Sequence, residues 1–260
     1  MRNVLVTGSV DGIGRHTAAQ LIDGGHRVVV HARNEDRAAD AKAALPGAAG
    51  IVVGDLRSLA ETTALAGSLR AYGRFDAIVH NAGIARLDSS EREVTGDGLE
   101  SMFQVNVLAP YLLTALLPQP ERLVFVSSAM AAEGAADLTD LQYERRPWNG
   151  YAAYSTTKLL DLMLAVAIAR RWPSTLSNAL DPGWVRTGMG GDAAPTSPRD
   201  AARGQVRLAV GTDAGALVTG RYFSDRDWRP DGTALDPALL DALLARCADL
   251  TGVQLPAPQG

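Results

Sequence analysis

Asn3-Val4-Leu5-Val6-Thr7-Gly8-Ser9-Val10-Asp11-Gly12-Ile13-Gly14 is a short apolar run that gives way to a turn carrying Gly8, Gly12 and Gly14. Helical periodicity follows through Ala18, Leu21 and Ile22 and stops at Gly24-Gly25. The stretch therefore predicts strand, glycine turn, helix. Glycines let a backbone take positive φ and come close to a ligand, and the free N–H groups at a helix start favour a pyrophosphate. A glycine turn at the first strand-to-helix junction is the context a dinucleotide needs.

The same alternation continues outward from that unit. Val28 to Val30 predicts a second strand, with a helix over 35–44 closed by Pro46-Gly47. Ile51 to Val53 predicts a third, ending at Gly54-Asp55, and Leu59, Thr63, Ala66 and Leu69 mark the buried face of the next helix. A fourth strand over 75–80 runs into Asn81-Ala82-Gly83, and a long helix over 98–117 is expected to bend near Pro110. Leu123 to Val126 delivers Ser127 and Ser128 at a strand's carboxyl end, where open α/β sheets place their ligands. Residues 131–150 form a polar insertion, followed by a helix to about Arg171, a strand over 176–180 and a glycine-rich loop over 188–199. Ser197-Pro198 and Asp236-Pro237 each start a helix, with a short seventh strand over 221–223 between them. The expected fold is α/β: a doubly wound, mainly parallel seven-stranded sheet with helices on both faces, a Rossmann fold, in one domain over 1–260.

With 260 residues and 47% hydrophobic content the chain can bury a large core, and the net charge of -4 comes without a basic stripe. That argues against nucleic acid and an anionic membrane surface as partners, and for a small molecule. Cys247, the lone cysteine, has no internal disulfide partner, and no charged, apolar leader precedes the first strand; a reducing cytoplasm is expected. No apolar run is expected to span a bilayer, no metal-ligand pattern is present, and self-association into a homo-oligomer is left open.

Tyr154-Ser155-Thr156-Thr157-Lys158 is where the chemistry is expected. Four residues apart on a helix, Tyr154 and Lys158 share a face. A phenol with a pKa of about 10 is a poor acid-base group at neutral pH, and an ammonium beside it favours the phenolate. Only two lysines, Lys42 and Lys158, stand among the 25 basic residues. Asn106, in the middle of an apolar helix, is either a tolerated residue or one kept for its hydrogen bonds.

The turn over 7–14, Asn81-Ala82-Gly83, Asn106, the strand-end serines, Tyr154 with Lys158, and Pro182-Gly183 occur in an order and spacing that resemble the short-chain dehydrogenase/reductase family, across nearly the whole chain. The resemblance implies hydride transfer between NAD(P) and a carbonyl or alcohol. By position, Ser128 would bind the substrate oxygen, Tyr154 would be the general acid or base, Lys158 would hold the ribose and lower the tyrosine's pKa, and Asn106 would position a water. Cofactor contacts are implied for Thr7, Gly8, Ser9, Asp11, Gly12, Ile13, Gly14, Arg33, Asp55, Leu56, Asn81, Ala82, Gly83, Tyr154, Lys158, Pro182, Gly183, Val185 and Thr187, with Asp55 at the adenine and Thr187 at the carboxamide. A catalytically silent nucleotide sensor or scaffold is the alternative, and family members of that kind usually lack the tyrosine or the lysine.

The interval of 26 residues from Ser128 to Tyr154 is about twice the family's usual one and is similar to that of retinol dehydrogenases and protochlorophyllide reductases. Strand alternation points Ser127 and Ser128 to opposite faces, and Ser128 is preferred. Tyr151 has Ser155 rather than lysine four residues on. After the second strand comes Ala32-Arg33, where an NAD-preferring site would usually carry an acid, so NADP(H) is expected to be preferred over NAD(H). Arg15 and Arg37 are further cations near that site, and Asp11 stands where NADP-dependent relatives often have a base. Trp148, Tyr151, Trp184 and Met189 border the expected site and hint at an apolar or aromatic substrate. The 131–150 insertion and the 188–199 loop are expected to close over it.

Overall fold

The computed structural model describes residues 1–224 and 235–258. Seven strands form one sheet in the order β3-β2-β1-β4-β5-β6-β7, all neighbours parallel. They are β1 (Asn3–Val6), β2 (Arg27–Ala32), β3 (Gly50–Val53), β4 (Ala77–His80), β5 (Arg122–Val126), β6 (Leu176–Leu180) and β7 (Tyr222–Phe223). Side chains alternate along each strand, so both faces of the central strands must be covered. Val4, Val6, Val28 and Val30 pack with α1 (Gly12–Asp23), α2 (Glu35–Ala44) and α7 (Pro198–Val210). Leu5, Val29, Ile78 and Phe125 pack with α3 (Leu59–Leu69), α5 (Ala109–Leu116), α6 (Gly150–Arg171) and α8 (Pro237–Thr251) on the opposite face. The doubly wound sheet expected from the alternation is the fold observed.

Local chemistry explains the helix starts. Asn34, Ser58, Asn149, Ser197 and Asp236 each accept a backbone N–H in the first turn of α2, α3, α6, α7 and α8. Asp11 does not do this for α1, whose first N–H groups have no side-chain cap. The buried face of α3 is Thr62, Leu65, Ala66 and Leu69: Ala66 and Leu69 are buried as expected, Leu59 packs partly buried on the core, and Thr63 is exposed.

The long helix expected over 98–117 is broken differently. It begins with α4 (Ser101–Phe103), capped by the Glu100 carboxylate, passes through a π-helical segment (Gln104–Leu108) and continues as α5. Pro110 has no N–H to offer the carbonyl of Asn106 four residues earlier, so the ladder slips at that point. The distortion thus precedes the proline and falls on Asn106.

Helix α6 corrects another expectation, since by length and composition it is apolar enough to cross a membrane, with a mean hydropathy of 1.3. In the fold 89% of that window is buried, against β5, β6 and α8. The tryptophan at its C-terminus, Trp172, is 1% exposed and donates its indole N–H to the carbonyl of Pro256 at 2.9 Å. Trp172→Ala is expected to cost roughly 3–5 kcal/mol, the scale of emptying a large core site, read by urea unfolding monitored by circular dichroism.

Candidate active site

The sequence order reverses between β1 and β4, which opens a crevice at the carboxyl edge of the sheet. Asn81 closes it: its amide N–H2 donates to the carbonyls of Thr7 and Gly8 at 3.0 and 3.1 Å. The Thr7 hydroxyl in return accepts the backbone N–H groups of Asn81 and Ala82 at 3.1 and 3.0 Å. Gly14 lies against this bracket, and a Cβ there would sit 2.3 Å from both Asn81 Nδ2 and Gly8 O. Only glycine fits. The uncapped start of α1, exposed Asp11 and partly exposed Gly12 and Ile13 therefore border an open cradle that suits a pyrophosphate.

Several supports of this turn were not legible in the sequence. Gln205, fully buried on α7, accepts from the Thr17 hydroxyl at 2.9 Å and donates to Asn81 Oδ1 at 3.1 Å. His31 is buried at the end of β2, where its Nδ1 accepts the Gly8 N–H at 3.1 Å and its Nε2 meets the Gly54 carbonyl at 2.8 Å. Burial holds His31 below the ordinary histidine range, against the pull of Gly54 and Asp55, so it stays neutral and fit to accept. The hydroxyl of Ser9 turns inward, donating to Val6 O at 2.8 Å and accepting from His31 N at 2.9 Å.

Arg33 is exposed one residue past β2, paired with no carboxylate among the described residues. Arg37 is paired on both sides, with Asp11 and with Asp40. Asp55 follows β3 and turns its carboxylate to the N–H of Arg57 at 2.9 Å, while Leu56 is buried.

The residues expected to carry the chemistry lie on the other side of Asn81. In the π-helical segment, Asn106 Oδ1 accepts the Ile84 N–H at 2.8 Å and its Nδ2 donates to Ile84 O and Thr157 Oγ1, both at 3.0 Å. Of the two roles open to it, it takes the hydrogen-bonded one. A Cβ at Gly83 would stand 3.3 Å from Asn106 Oδ1 and 3.5 Å from Lys158 Nζ, so the Asn81-Ala82-Gly83 turn leaves room beside both. The Lys158 ammonium donates to Val126 O and to Asp161 Oδ2, each at 2.8 Å, and lies 5.7 Å from the Tyr154 ring centre. Ser127 is buried and donates to the Lys158 carbonyl at 2.7 Å. Ser128 caps the 3-10 turn Ala129–Glu133 and acts on the Tyr154 phenol, favouring its ionised form.

Burial raises the Tyr154 phenol above its ordinary range; Lys158 pulls it down, and Asp161 and Asp181 push it up. Burial opposes the charge on Lys158, but Asp161 and Tyr154 outweigh it and hold the ammonium above its usual range. Asp161 is itself pushed up to about 6 by burial, against the attraction of Lys158. An acid inside the apolar run Leu159-Leu160-Asp161-Leu162 was the signal that could have found it.

The 131–150 insertion is fastened down. Leu141 and Tyr143 are buried, the Tyr143 hydroxyl is 3.1 Å from Thr156 Oγ1, and the Trp148 indole donates to Ser89 O at 3.0 Å. The Asp140 carboxylate gathers the N–H groups of Glu144, Arg145 and Arg146. The other loop expected to close over the site also reaches Tyr154. Past Pro182 and Gly183, Val185 bridges Thr196, the Trp184 indole donates to Gly190 O at 2.8 Å, and Met189 Sδ lies 3.8 Å from the Tyr154 hydroxyl. Thr187 Cγ2 stands 3.3 Å from a Cβ placed on Gly12, which brings this loop to the glycine turn.

The sequence pattern described as short chain dehydrogenase matches residues 2–197. The chain belongs to the short-chain dehydrogenase family. It is 40% identical to the short-chain dehydrogenase chyC of Penicillium rubens, over 99% of this chain and 100% of that one. It is 33% identical to retinol dehydrogenase 14 of Mus musculus, over 86% of this chain and 78% of that one. A crystal structure of an uncharacterized protein from Mycobacterium paratuberculosis superposes with a TM-score of 0.82 at 27% identity, covering 98% of this chain and 95% of that one. The chain is thus an oxidoreductase of a family that binds NAD(P) and acts on CH–OH or C=O groups, and the resemblance to retinol dehydrogenases extends to this relative.

Removing the buried glutamine strands two polar partners. Gln205→Leu is expected to cost about 1–3 kcal/mol, the penalty for unsatisfied buried groups, and to weaken binding of the nicotinamide dinucleotide. Thermal unfolding with and without NADPH would read both.

Proposed function

We propose that this short-chain dehydrogenase interconverts a ketone or aldehyde and its alcohol, with Tyr154 as general acid and base and NADP(H) as the preferred cofactor. The supporting observation is the convergence of Ser128, Tyr154, Lys158 and Asn106 beside the glycine cradle. Thr7, Asn81 and the start of α1 would hold the dinucleotide, with Lys158 at the ribose. A nicotinamide held there would supply the hydride chemistry at the substrate carbon. Tyr154 gives one proton to the oxygen in reduction and takes one in oxidation, while Ser128 donates a hydrogen bond to that oxygen as charge develops on it. A phenol held above its usual range is protonated at neutral pH, which suits it to proton donation.

Tyr151, Trp184 and Met189 are large apolar side chains left exposed in segments flanking Tyr154, and partly buried Trp148 packs in the cluster that holds Tyr154. They support an apolar or aromatic substrate, and retinol in the name of one relative points the same way. The buried thiol of Cys247 supports a reducing cytoplasm as the location.

Tyr154→Phe is expected to lower kcat by ~100-fold or more while NADPH binding stays near wild type, because only a hydroxyl is lost. A screen of ketones, aldehydes and quinones followed by NADPH absorbance supplies the substrate for that test. Retained turnover would overturn the assignment.

Arg33, paired with no carboxylate among the described residues, supports the cofactor preference, since a guanidinium can grip a 2′-phosphate through two parallel hydrogen bonds. Arg37 is less available, being claimed by Asp11 and Asp40. Ala32→Asp combined with Arg33→Ile is expected to shift kcat/KM from NADPH toward NADH. Equal use of both cofactors by the wild type would refute the preference.

A further inference from the structure

Helix α6 carries a second charge that the chemistry above does not use. Asp161 lies one turn beyond Lys158, with its side chain only 4% exposed and its Oδ2 2.8 Å from Nζ. A carboxylate this deep needs a strong reason to be there, since burying an ion pair generally costs more than apolar residues of the same size would. The same helix is otherwise apolar around it, with Leu159, Leu160, Leu162 and Met163 all buried. The Val126 carbonyl accepts one N–H of the Lys158 ammonium, and the Asp161 carboxylate accepts another and supplies the counter-charge. What the carboxylate adds is an opposing charge next to the ammonium that faces Tyr154.

We propose that Asp161 is a positioning residue for the reaction: it fixes the Lys158 ammonium between itself and Val126 O and offsets part of that charge's pull on the Tyr154 phenol, adding to the effect of burial and favouring carbonyl reduction. The inference rests on Tyr154 being the acid-base group. Among the described residues the ionisable groups acting on Tyr154 are Lys158 and Asp161 from α6 and Asp181 from the end of β6. Ser128 after β5 adds a neutral hydroxyl, Asn106 in the π-helical segment a neutral amide, and Met189 from the loop a thioether. Lys158 is the charged group acting on Asp161. Burial pushes the Asp161 carboxyl up while Lys158 favours its ionised form, and it is the ionised carboxylate that opposes the ammonium at the phenol. Removing the carboxylate should therefore lower the pKa of Tyr154 and extend alcohol oxidation, which needs the phenolate, to lower pH.

The test compares wild type, Asp161→Asn, Asp161→Glu and Tyr154→Phe, all full-length. Ultraviolet difference titration of tyrosinate, taken against Tyr154→Phe with and without saturating NADP, reads the phenol directly and needs no substrate. The Asn variant is expected to titrate about one unit or more below wild type, the usual reach of a neighbouring charge, and the Glu variant close to wild type. Its oxidation kcat/KM profile should move by the same interval, giving about a tenfold gain at pH values on the rising limb. An unchanged tyrosinate titration, or an equal shift in the Glu variant, would overturn the proposal. Full activity in Tyr154→Phe would instead sink the acid-base assignment, while the titration would still report whether Asp161 controls the phenol. Should Asp161→Asn not fold, Asp161→Ala removes the same charge and carries the comparison.

Discussion

Lys158 brings an ammonium ion into the interior of an apolar helix, and that charge sets the terms for the groups around it. Taking such an ion out of water is costly unless its hydrogen bonds are replaced. The Val126 carbonyl at the end of β5 and the Asp161 carboxylate replace two of them. Each partner lies on a different element, so strand β5 and helix α6 must be in register for the charge to be tolerated at all. Tyr154 is then set one turn before the ammonium, and Ser127 ties the helix back to β5 through the Lys158 carbonyl.

The nucleotide side of the crevice works by backbone rather than by charge. Thr7 and Asn81 join the ends of β1 and β4 by reciprocal hydrogen bonds, and the pair leaves Gly14 no space for a side chain. Gln205 reaches across from α7 to hold Asn81, and neutral His31 holds the Gly8 amide from β2. Four elements thereby converge on one turn while the first N–H groups of α1 are left without a side-chain cap. A rigid, donor-rich cradle suits an anionic ligand without placing a permanent positive charge beneath it. The two halves meet at Gly83, the narrow point between Asn106 and Lys158.

The order of strands and helices, the glycine turn and the Tyr154-Lys158 pair were determined by the sequence alone, because each rests on local periodicity or on spacing within one element. Val28-Val29-Val30 can only be a strand buried on both faces, and Tyr154 and Lys158 can only share a helix face. The family pattern added Asn106 and Ser128 in the same way. Tertiary structure decided everything that required two distant segments to meet. It turned Ser9 inward, fastened the 131–150 insertion through Tyr143 and Trp148, and buried the apolar helix α6 in the core. It also brought Gln205 to Asn81, 124 residues away in the chain, a contact with no local signature. Asp161 lies between these cases: its position one turn from Lys158 was written in the sequence, but its burial, and with it the weight of its charge, came from the packing of α6 against the sheet.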